Sequence, residues 1–132
     1  MKTDRQKEKD KLDKLCSGYI RRRDFLRFGG CARTEANHQT VFTSYKQLQW
    51  AHCFGRKALI VRWDEDNGAG LCGGCHMYLD AHHREKEAFF KKLLGDDAFR
   101  NLEIRAEWNV GQKKTDVAWL TIYFKKLIAE IE

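Results

Sequence analysis

Proline is absent from the 132 residues. Helices here must therefore end on glycine or in polar loops. Long apolar runs are missing too. None approaches the roughly 18 residues that a bilayer span needs, so no membrane partner is expected. The stretch from Met1 to Lys14 is charged throughout and has no apolar segment of the signal-peptide kind, which makes a cytoplasmic location the expectation. No repeat or low-complexity tract interrupts the chain, and its length fits one domain. Cysteines number five, an odd count that argues against a disulfide framework in a reducing compartment.

Charge is what the chain has in plenty. One third of the residues are Asp, Glu, Lys or Arg, and the net charge is +6. A basic balance favours polyanion partners, because Lys and Arg release counterions when they meet phosphates. Charge alone does not decide for nucleic acid.

From about Asp4 to Phe28, Leu12, Leu15, Cys16, Tyr19, Ile20 and Leu26 recur near helical spacing, which predicts an amphipathic helix ended by Gly29 and Gly30. Arg21, Arg22 and Arg23 form a basic run that is either a solvated face or a phosphate contact. Residues 31 to 46 read as irregular. Leu48 to Phe54 alternates like a strand, and Gly55 to Asn67 reads as a long loop with local structure around Leu59 to Trp63. Gly68 to Leu71 is expected as a short strand, followed by a helix starting near Cys75. Helices are expected over Glu85 to Leu94 and Asp97 to Trp108. A last helix, with Thr115 as N-cap and Asp116 in its first turn, carries the stripe Val117, Leu120, Phe124, Leu127 and Ile131 and should pack on the first helix.

Two groups of residues carry chemistry. Cys72-Gly-Gly-Cys75 has C-x-x-C spacing, and the βαβ setting of a redox pair is missing. That leaves metal. A structural zinc needs four ligands in a tetrahedron. Cys31, after the glycine pair, and His38 complete a Cys₃His set, with Cys53 as the rival fourth ligand. The second group is histidine-rich. His52, His76, His82 and His83 fall within about thirty residues. On a helix, His76 and Asp80 stand at i and i+4 and share a face. Imidazole with carboxylate suits one divalent ion that keeps positions open for phosphate and water. His83 would continue that face, whereas His82 would join it only if the helix has ended. Arg56 and Lys57, shortly after His52, and Arg62 are candidate phosphate contacts, with loop solvation as the plain alternative.

The order of these pieces is a strand histidine, then a loop asparagine, then helix ligands. It reads Trp50-Ala51-His52-Cys53-Phe54, then Trp63-Asp64-Glu65-Asp66-Asn67, then Cys72-Gly-Gly-Cys75-His76-Met77-Tyr78-Leu79-Asp80-Ala81-His82. This resembles the ββα-metal core of the HNH endonucleases, and in particular the phage-encoded members and the related NinG/Rap recombination family. The run Leu12-Asp13-Lys14-Leu15-Cys16-Ser17-Gly18-Tyr19-Ile20-Arg21-Arg22-Arg23-Asp24 also looks like the N-terminal helix of that group. The resemblance implies that His52 is the general base, that Asn67 holds loop and strand so that His52 is aimed, and that His76 binds the catalytic ion or the scissile phosphate. Asp80 and His82 would complete the catalytic metal set for Mg²⁺ or Mn²⁺. An imidazole with a free pKa of about 6.5 suits a base at physiological pH.

The chain departs from the pattern at three points. Ala51 stands where many members have a metal-binding Asp or His. Asp80 stands where a final histidine is common, and Thr34 stands where a second C-x-x-C would need cysteine.

The expected fold is α+β: a small ββα-metal core with a zinc knuckle at residues 31–84, flanked by an N-terminal helix (1–30) and C-terminal helices (85–132). The expected function is hydrolysis of DNA phosphodiester bonds in phage DNA recombination or processing, in the cytoplasm of a bacterium or infected host. A zinc-stabilised DNA-binding module without nuclease activity is the alternative, and a zinc-bearing interaction protein is a third reading.

Overall fold

The computed structural model describes residues 1–55, 59–107 and 116–132, and of Leu59 its backbone. Among them are five α-helices and one two-stranded antiparallel sheet, an α+β arrangement that is mostly helical. None of the described helices is long and apolar enough to cross a membrane.

Helix α1 is Asp4–Phe28. Thr3 caps its start by accepting the Gln6 amide. Gly29 ends it with φ 70°, a left-handed conformation that costs glycine least, and its N–H returns to the Phe25 carbonyl. Leu12, Cys16 and Ile20 form the buried stripe. Leu26, expected on that stripe, is 65% exposed; Phe25 and Phe28 turn towards the core in its stead.

The sheet pairs β1 (Gln49–His52) with β2 (Gly68–Leu71), so that Trp50 faces Gly70 and His52 faces Gly68. β1 is shorter than the alternation from Leu48 to Phe54 suggests. The other edge of β2 is covered. Gly70 N–H is donated to the Asp24 carboxylate at 2.7 Å, and the Gly70 carbonyl accepts from Ala32 N–H at 2.9 Å. A Cβ at position 70 would lie 3.2 Å from Asp24 Cβ and 3.4 Å from the Arg21 Cα, so a side chain there would press α1 away from β2 by a few tenths of an ångström.

The next helix, α2, is Gly73–Ala81, with Cys72 as its N-cap. It therefore begins two residues earlier than expected. The two glycines between Cys72 and Cys75 are the first turn of this helix, and the Cys75 N–H points at Cys72 Sγ from 3.5 Å. The remaining helices are α3 (His83–Leu94), α4 (Asp96–Glu107) and α5 (Val117–Ile131). Asp116 caps α5, its side chain accepting the Trp119 amide at 2.9 Å. The cap was expected at Thr115, which lies outside the described residues.

Two apolar clusters hold the elements together. One lies between α1 and α5, around Leu12, Cys16, Ile20, Trp63 and Phe124, as the stripe on α5 predicts. The other joins the sheet to α2, α3 and α4 through Ala51, Leu71, Leu79, Phe90 and Phe99. The β1–β2–α2 unit thus sits between the two helical layers, with α1 lying across it.

Candidate functional site

β1 alternates as a strand must. Ala51 points into the core and is 1% exposed. Trp50 and His52 point the other way, their rings 4.1 Å apart. They form the floor of a cleft of about 500 Å³ whose other walls are Asp13, Lys14, Ser17 and Arg21 of α1, Arg62, and His76 of α2. The strand histidine and the helix histidine singled out in the sequence therefore line one cleft.

Asn67 is fully buried and uses its whole amide. Its Oδ1 accepts Phe54 N–H at 2.8 Å, and its Nδ2 donates to the Phe54 and Val61 carbonyls at 3.0 Å each. Cys53 N–H reaches the Asn67 carbonyl at 3.0 Å. One side chain thus ties both ends of the 53–67 loop to the residues that follow His52.

His76 is held from two sides. Its Nδ1 lies 2.8 Å from Gln49 Oε1 on β1. Its Nε2 lies 3.2 Å from Asp80 Oδ2 one turn later. That is the distance of an i,i+4 ion pair, and it sets an imidazole and a carboxylate side by side on one face of α2. The other Asp80 oxygen takes Lys86 at 2.9 Å.

His82 is not brought to the cleft. It ends α2, is exposed, stacks on Tyr78 with rings 4.1 Å apart, and contacts the Tyr78 carbonyl through Nδ1 at 2.7 Å. His83 starts α3 and is exposed. Because α2 stops at Ala81, neither residue continues the His76–Asp80 face.

Arg62 lines the cleft with its charge already matched. Asp13 receives its Nε at 3.1 Å and also its Nη2, and Asp13 accepts the Trp63 indole N–H at 2.8 Å as well. Arg56 and Lys57 lie outside the described residues.

At the start of α2 a second site forms. The ligand atoms of Cys31, His38, Cys72 and Cys75 all lie within 4.8 Å of one another. Among the described residues this is the one group of three or more such side chains drawn that close. Cys31 is carried there by the turn after α1, and residues 33–38 fold back so that His38 Nε2 comes 3.3 Å from Cys75 Sγ. The His38 ring is braced edge-on by Phe42 at 5.3 Å. Cys72 N–H points at Cys31 Sγ from 3.3 Å, and Arg33 approaches Cys75 Sγ at 3.8 Å. Burial pushes the Cys31 thiol up to about 12 and raises Cys75 as well. Three sulfurs and one imidazole in this enclosure can hold a metal ion of the zinc kind. Cys53, the rival ligand, instead lines a separate pocket beside Phe54, His83 and Phe99.

No family model, curated protein or solved structure matches the chain.

Function therefore has to be read from these two sites. Sequence reasoning missed the α1 wall of the cleft, the Gln49 contact to His76, and the Asp13–Arg62 pair. The face shared by Asp13, Ser17 and Arg21 was visible as helical spacing. What it faces was not, since periodicity gives a direction and no partner.

Proposed function

We propose that this chain is a metal-dependent DNA endonuclease of the HNH type, acting in the cleft between α1 and the β1–β2–α2 unit. The observation that carries the proposal is that His52 and His76 line one cleft walled by Lys14, Arg21 and Arg62. His52 takes the proton from the attacking water. Asn67 fixes the backbone after His52 and so aims the ring. His76 and Asp80 hold a divalent cation, Mg²⁺ or Mn²⁺, and Gln49 keeps the His76 Nε2 turned towards Asp80. Such a cation, when bound, stabilises the charge that builds on the phosphate and the leaving 3′ oxygen. We assign Zn²⁺ to the Cys31, His38, Cys72 and Cys75 group, where it ties the 31–38 loop to the first turn of α2 and leaves the chemistry to the cleft. The resemblance of the motif order to phage and recombination nucleases extends the proposal to phage DNA processing.

A second reading, a zinc-stabilised DNA-binding module without nuclease activity, is favoured by two observations. Ala51 is packed in the core where a ligand would be needed, and Asp80 is already paired with Lys86. A plasmid-nicking assay separates the two readings. The endonuclease converts supercoiled plasmid to nicked or linear forms with Mg²⁺ or Mn²⁺ and stops with EDTA. Binding without cleavage in every divalent metal tried would leave only the module.

A further inference from the structure

We propose that α1 supplies the backbone contacts of the cleft, with Lys14 and Arg21 holding two phosphates of the DNA strand that crosses His52. This rests on DNA being the partner, as in both readings above, and adds which element grips it and through which residues.

The three consecutive arginines have three different fates, because successive helical residues point about 100° apart. Arg22 is paired with Glu132 at 3.1 Å and lies over the Tyr45 ring at 4.2 Å. Arg23 turns inwards. It binds the fully buried Asp24 at 2.9 Å and donates to the Glu65 and Gly68 carbonyls, also at 2.9 Å each. Arg21 alone of the three lines the cleft. Its Nε donates to the Ser17 carbonyl at 3.2 Å and its guanidinium lies 5.4 Å from the centre of the Tyr45 ring, so its outer nitrogens have no hydrogen-bond partner among the described residues and can take a ligand. No carboxylate among the described residues pairs with it or with Lys14. The one acid lining the cleft, Asp13, is committed to Arg62 and Trp63. Two uncompensated cations therefore remain, both on α1 and both facing the floor where His52 lies.

Their spacing suits a polymer. Seven residues along a helix span about 10 Å, about three base-pair rises of 3.4 Å. One strand of DNA presents charge at that interval, so both cations can be met by a single polymer strand. Arg62, neutralised by Asp13, is left to brace the wall.

The test is binding of a fluorescein-labelled duplex, followed by anisotropy without added divalent metal, over salt from about 50 to 200 mM. The Lys14→Ala/Arg21→Ala variant should bind more weakly, with a log K against log salt slope shallower by about 2, since each phosphate contact contributes about 0.9. Lys14→Ala alone, at an exposed position, should remove about half of that change. Lys125→Ala/Lys126→Ala on α5 removes the same charge and should leave the slope unchanged. An unaltered slope in the α1 variants, or an equal loss in the α5 control, would overturn the proposal. Wild-type protein that binds with the expected slope but never nicks would sink the nuclease reading and leave this one standing.

Discussion

Asn67 and Asp24 are the two polar side chains buried outright among the described residues, and both act on backbone. Asn67 satisfies a donor and two acceptors of the 53–67 loop; Asp24 satisfies the Gly70 N–H at the edge of β2 that does not face β1. Removing the amide strands groups that water cannot reach, and each such group costs about 1–3 kcal/mol. Asn67→Ala should therefore lower stability by about 3 kcal/mol in urea unfolding and cut any nicking rate in protein that is still folded. A variant with full stability would mean the loop does not depend on this side chain. The asparagine was legible in the sequence by its position between the strand histidine and the C-x-x-C pair. Asp24 was not, because an acid in a charged helix looks solvated until the strand it covers is known.

At the level of elements, helices announced themselves best. The apolar stripe and the Gly29 stop were enough to bound α1, and the stripe on α5 was enough to dock it on α1. The short pieces were less legible. A four-residue strand is too brief for alternation to bound it, and the cap of α5 moved by one residue to Asp116. One contact of α5 has a pH signature. The Tyr123 hydroxyl donates to Glu65, and that bond, together with burial, raises the phenol from 10.0 to about 12. The folded pKa is the higher one, so the stabilisation is whole below pH 10 and is lost as pH rises from 10 to about 12. Melting temperatures taken across that range should fall more for the wild type than for Tyr123→Phe, and parallel curves would refute the contact. The metal group joins two other elements, the 31–38 loop and α2. Chelation should loosen that join and expose Cys31, Cys72 and Cys75 to a thiol reagent in folded protein, while buried Cys16 stays unreactive until global unfolding. Mass spectrometry of the alkylated protein reads both, and equal labelling with and without chelator would remove the metal from the account.

Across the whole molecule, α1 is the organising piece. One side buries Leu12, Cys16 and Ile20 against α5, its end latches β2 through Arg23 and Asp24, and a third face closes the cleft over His52. The four metal-group residues could be named from sequence because three are cysteines near glycines and the fourth is the closest soft ligand. The cleft could be half named: its histidines follow a recognisable order, whereas its basic wall comes from a helix thirty residues upstream. The measurement that bears most directly on the account is plasmid nicking by His52→Ala beside wild type, with duplex binding measured on the same preparations. Cleavage should vanish while binding and melting temperature stay near wild type. Wild-type nicking by the alanine variant would contradict the assignment of His52 as the base and, with it, the catalytic reading of the cleft.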